Sequence, residues 1–190
     1  MHRQNKLHNS ARIYLDYYGS ILEKMIQNMR SADLTDSISH NFITQMIPHH
    51  QAAIEMSQNI LKYTNSKPIE IIASGIVEEQ TKSVKNMREI ELSCENFQNS
   101  DQDLWLYQHS INEIMQDMFS NMKCARAANN INCDFMWEMI PHHMGAIEMS
   151  ETALQYPICP NLKPILNAII ISQQRGVIKM QHLLQYMDCS

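Results

Sequence analysis

Apolar positions along this chain recur at helical spacing. From about residue 10 to 30, Tyr14, Tyr18, Ile21, Met25, Met29 and Ala32 fall on one stripe at 100° per residue. A second segment, from residue 37 or 39 to about 63, sets Phe42, Met46, His49, Ala53, Met56 and Ile60 on one face behind a serine cap. A third starts near Pro68, a favourable first-turn residue, and runs to about Cys94 with Ile69, Ile72, Ile76, Gln80, Ser83, Met87 and Ile90 on one side. Short links such as residues 64–67 and 156–160 predict antiparallel packing of successive helices.

The three-helix pattern occurs twice. Residues 42–57 are echoed by residues 135–150 at a constant offset of 93, which also aligns Tyr14 with Tyr107, Ile21 with Ile114, Gln80 with Gln173 and Met87 with Met180. The units are expected at residues 8–97 and 101–190, giving an all-α fold of tandem three-helix units, with the second unit's third helix starting near Pro164. Met25, Met29, Met46, Met56 and Met87 are matched by Met118, Met122, Met139, Met149 and Met180, and His49-His50 by His142-His143. The remaining histidines have no such match. Apolar bulk alone would have let some of these methionines drift, as Leu22 has to Met115, so a more specific demand holds them.

Pro48 and Pro141 interrupt the second helix of each unit, where proline removes a hydrogen bond and costs about 3 kcal/mol. The Phe42/Met46/His49 spacing continues through Pro48, which favours a kinked helix over one that begins there.

Composition narrows the function classes. Only four Gly and six Pro in 190 residues disfavour all-β and doubly wound α/β folds, and a net charge of −5 leaves no basic surplus for nucleic acid. No apolar run of about 18 residues is present, so no membrane insertion is expected. As it stands the chain is expected to be cytoplasmic, an extracytoplasmic location applying if it is a trimmed piece. Five cysteines with no CxxC pair argue against a disulfide framework, and Cys94 and Cys189 read as ordinary free thiols. Tyr17, Tyr18 and Trp105 read as packing residues.

The candidate chemistry lies on the His-Met faces. His49 is central on its stripe between Met46 and Met56, His50 stands about 100° round, and Met25, Met29 and Met87 occupy the inner faces of the other helices. The second unit repeats the arrangement. Neutral thioether and imidazole donors with few carboxylates suit Cu(I) or Ag(I) far better than Mg, Ca or Mn. Core packing is the competing reading for any single Met. Adjacent buried imidazoles are costlier to explain that way, because each needs a partner. Gln80 and Gln173 would either orient these imidazoles or bridge helices. Glu55 and Glu148 read as solvated or paired with a base. No activated nucleophile, paired-carboxylate site or cofactor motif is evident, so no enzyme is expected.

The string Phe-x3-Met-Ile-Pro-His-His-x2-Ala-Ile-x-Met, at residues 42–56 and 135–149, resembles the signature of domain-of-unknown-function family 305, in two tandem copies over nearly the whole chain. That resemblance implies a ferritin-like helical fold and, as in some members, copper association. It carries Met46, His49, His50, Met56, Met139, His142, His143 and Met149 forward as candidate ligands. Many members look exported, whereas no signal segment is expected at the start of this sequence. The Glu-x-x-His pairs of di-iron sites are absent too, which disfavours iron catalysis. The expectation is a Cu(I)/Ag(I)-binding or buffering protein whose partner is the metal ion. Homo-oligomerisation and protein partners stay open. The alternatives are a helical interaction module with a Met-rich groove and no metal, and a metalloenzyme of unknown reaction.

Overall fold

The computed structural model describes residues 9–125, 127–128, 130–187 and 189. The two ends of the expected units, His8 and Ser190, lie outside this set, as does His2. Six helices follow one another: α1 (Asn9–Arg30), α2 (Ile38–Ile60), α3 (Lys67–Glu95), α4 (Asp101–Lys123), α5 (Ile131–Ala153) and α6 (Lys163–Tyr186). The described residues contain no strand, and the fold is an all-α bundle.

Local chemistry sets the helix limits. Ser37 caps α2 by accepting from the His40 amide at 3.3 Å, and Ser100 caps α4 through the Asp103 amide at 3.1 Å. Pro68 and Pro164 stand in the first turns of α3 and α6. Helix α2 stops at Ile60, three residues short of the expected end, and Tyr63 instead turns back to pack edge-on against Tyr14 at 6.3 Å. Pro48 and Pro141 lie inside α2 and α5, so neither helix begins at its proline.

Helices α2 and α5 form the centre. Each packs against the other two helices of its own unit, they cross one another, and α3 packs on α6. Because both are surrounded, their burial extends well beyond one stripe and takes in polar residues. A single apolar cluster runs through both units. Polar bonds tie the units as well: Tyr14 Oη donates to Glu138 Oε2 at 2.5 Å, Tyr18 Oη to the Met122 carbonyl at 3.2 Å, and Thr64 Oγ1 to Asn132 Oδ1 at 2.6 Å.

Two sequence expectations need correction. Cys189 is bonded to Cys133, with a Cα–Cα distance of 5.7 Å, so it is no free thiol. The pairing spans 56 residues and joins the first turn of α5 to the stretch after α6, a proximity no local spacing discloses. Tyr17 and Trp105 are exposed, Tyr17 lying under the Lys62 ammonium at 5.0 Å and Trp105 stacking on His109. Only Tyr18 of that trio is core.

Candidate metal centre

The doubled histidines meet where α2 crosses α5. His49 and His142 stack with ring centroids 3.6 Å apart, and His50 and His143 flank them at 5.8 Å and 6.0 Å from their own neighbours. All four are essentially buried, including His50, which the helical projection set on the shoulder. Both ring nitrogens of His50 and Nδ1 of His142 have no hydrogen-bond partner among the described residues, and the His49 ring meets the His142 backbone without closing a well-formed hydrogen bond. His142 Nε2 is 3.1 Å from the His49 carbonyl. The His143 ring meets the Met139 carbonyl one turn earlier, yet its Nδ1 closes no well-formed hydrogen bond.

Burial first, and neighbouring imidazoles second, hold these rings neutral. His50 is pushed down to about 3, mainly by burial and then by His143. His143 goes down to about 4 through burial, against the Met139 carbonyl. His49 and His142 lie well below the usual histidine range, for burial and then for the surrounding rings. Neutral imidazole is the form that binds metal.

All ten repeat-matched methionines, Met25, Met29, Met46, Met56, Met87, Met118, Met122, Met139, Met149 and Met180, are buried in the common core. Met118 lies directly over Gly145 of α5. The sulfur and nitrogen donors thus share one interior, with the imidazoles of both units in a single cluster. Their present orientation is not that of a closed site. Stacking sets the in-plane lone pairs of His49 and His142 side by side, and among the described residues no three His, Cys, Asp or Glu side chains are arranged to hold a metal ion. Gln80 and Gln173 are buried, but Gln80 makes no hydrogen bond to an imidazole or a facing helix.

Glu55 pairs with Lys24 at 2.9 Å. In the second unit Asp117 takes the place of Lys24, so Glu148 faces like charge. Its pKa is raised, by partial burial first and then by Asp117 and Glu151.

Sequence reasoning missed two buried carboxyls, Asp134 and Glu138. They stand where the first unit has Asn41 and Gln45, and that matched polar pair inside an apolar helix was the available signal. Burial raises Glu138 well above the carboxylate range, against the opposing hydrogen bond from Tyr14. A raised carboxyl stabilises the fold below its unfolded pKa, and that contribution is lost as pH rises. Glu138→Gln keeps an acceptor for Tyr14 and removes the ionisable group. It is expected to raise the denaturant midpoint at pH 8 and to leave it unchanged near pH 4; a loss at pH 8 would contradict the burial of a neutral acid.

The family model described as "Domain of unknown function (DUF305)" matches residues 17–91 and 39–184. The chain belongs to the DUF305 family. This DUF305 protein is similar in fold to a crystallised DUF305 fragment from Deinococcus radiodurans, with a TM-score of 0.58 and 16% identity over 79% of this chain and 97% of that one. It is similar also to CopM in an Ag-bound form obtained by soaking, with a TM-score of 0.59 and 22% identity over 81% of this chain and 99% of that one. No curated protein matches it significantly. At these identities the likeness is one of fold.

Proposed function

We propose that this DUF305 protein binds and buffers soft monovalent cations, Cu(I) and Ag(I), at the crossing of α2 and α5, and performs no catalysis. One observation carries the reading: four imidazoles from two repeats are buried together with at least four ring nitrogens unpartnered, inside a core that also holds ten matched thioethers. Burying unpaired polar nitrogens costs on the order of 1–3 kcal/mol each, a cost that ligation offsets. The donor set is neutral and soft, which selects Cu(I) or Ag(I) over hard divalent ions. CopM, which shares the fold, has an Ag-bound form.

His49, His50, His142 and His143 would hold the ion, with thioethers of the same core completing its surroundings, and the ion would supply only the ligation that these nitrogens lack. The His49–His142 stack must part for the two rings to point at one ion, so binding should perturb both repeats together. The interaction-module alternative needs an exposed methionine groove, whereas Met25, Met46 and Met87 are at most 1% exposed. The Cys133–Cys189 bond supports operation in an oxidising compartment.

The test is anaerobic Cu(I) titration of the full chain in competition with a chromophoric chelator. Near-stoichiometric binding is expected, weakened at least about tenfold in His49→Ala/His142→Ala. Unchanged affinity in that double variant would remove these histidines from the site.

A further inference from the structure

A second group of soft donors lies at another junction of the two repeats. Cys94 is in the last turn of α3, and Cys159 is in the link between α5 and α6. Both are buried and unbonded, and Cys159 is an electrostatic neighbour of the Cys94 thiol. The remaining free cysteine, Cys124, is exposed. The first turn of α2 fixes the pair from both sides. Ser37 Oγ donates to the Cys94 carbonyl at 2.7 Å, and Ser39 Oγ accepts from the Cys159 amide at 2.9 Å, both serines being fully buried. Asn99 tightens the same junction: its Oδ1 accepts from the Ile38 amide at 2.9 Å and its Nδ2 donates to the Pro157 carbonyl at 2.7 Å. The backbones of both cysteines are therefore fixed to the same short stretch at the start of α2, before any metal or cross-link forms.

We propose that Cys94 and Cys159 form a second soft-cation site, a two-thiolate centre taking one Cu(I) or Ag(I). It is distinct from the histidine cluster and does not rest on it. Thiolate is the softest donor a protein offers, and a monovalent d10 ion is satisfied by two such ligands. Zinc is not, since it needs four ligands and the described residues bring no third His, Cys, Asp or Glu to the pair. Binding is a ligand exchange: two S–H bonds break, two S–metal bonds form, and two protons go to solvent with no change of oxidation state. Burial pushes the Cys94 thiol up to about 12, so without metal Cys94 is held as the thiol at neutral pH. Access is short, because Pro157 and Pro160 flank Cys159 on the exposed surface of its link.

The experiment uses the full chain carrying Cys124→Ser, with the Cys133–Cys189 bond intact and Cu(I) supplied anaerobically. Expected are an ultraviolet thiolate-to-Cu(I) absorption and alkylation of both thiols slowed by about tenfold or more, read by mass spectrometry. Adding Cys94→Ser/Cys159→Ser removes that absorption and one bound ion, while His49→Ala/His142→Ala keeps both. Loss of binding at either site is thus seen separately. Equal copper stoichiometry with and without the cysteine pair would overturn the proposal, as would equal alkylation rates with and without Cu(I). Recovery of a Cys94–Cys159 disulfide in place of the metal-loaded pair would do the same. If the serine double variant loses helicity, the shielding measurement on the unaltered thiols decides alone.

Discussion

Acidification from pH 7 to pH 5 is expected to destabilise the metal-free protein severely, with the denaturant midpoint falling steeply below about pH 6.5. In the unfolded chain each histidine takes up its proton near pH 6.5, whereas the fold holds His50 down at about 3 and His143 at about 4. The unfolded state therefore binds more protons in this window, so stability is full above pH 6.5 and is lost as pH falls. At pH 5 the loss is about 2 kcal/mol for each of these two residues. His49 and His142 add to it in the same direction. Glu138, Asp134 and Glu148 work the other way, their raised carboxyls favouring the fold as pH falls, three groups against four. With domain stabilities of about 5–15 kcal/mol, several kcal/mol is a large share. Circular dichroism of denaturant unfolding at pH 8, 7, 6 and 5 reads the effect directly. His50→Leu/His143→Leu should flatten the profile, and Cu(I) loading should shift the loss to lower pH, since ligand bound only to the native state opposes unfolding. A midpoint constant between pH 7 and pH 5 would mean that the rings are solvated.

How much of this could be read from the chain follows from how local each feature is. The helices, the serine cap at Ser37, the first-turn prolines and the burial of the Met stripe follow from spacing within one helix. The 93-residue repeat showed further that the histidine pairs are special, but not that they would meet. One site in each unit and one site between units have the same sequence signature. The meeting of His49 with His142 is a product of the α2–α5 crossing, which periodicity does not encode. The burial of Asp134 and Glu138 was hidden for the same reason: a helix surrounded on most sides buries positions that a single-stripe projection assigns to solvent. Cys133–Cys189 and the Cys94–Cys159 pair depend on chain reversals far apart in sequence, and the odd number of cysteines pointed away from both.

Replacing Gly176 of α6 by alanine tests how tightly α6 packs on the His143 ring of α5. A Cβ there would lie 2.6 Å from Cδ2 and 2.8 Å from Nε2 of His143, closer than atoms tolerate. His143 is 2% exposed and its ring centroid is 6.0 Å from that of His142, so a displaced ring has little free space to move into. Overpacking of this kind costs about 1–3 kcal/mol, opposed by the gain of about 1 kcal/mol that alanine brings to a helix. Gly75 supplies the control, because nothing lies within 4 Å of a Cβ built on it. Gly75→Ala should therefore stabilise the protein by up to about 1 kcal/mol and leave Cu(I) affinity untouched. Gly176→Ala should lower the melting temperature by a few degrees and weaken Cu(I) binding, because it displaces a proposed ligand. The first unit has Ser83, with a Cβ, at the equivalent position, so the two repeats differ where their third helix faces the second histidine. If Gly176→Ala proves as stabilising as Gly75→Ala, His143 does not lie against α6, and the cluster must be looser than a packed four-ring core.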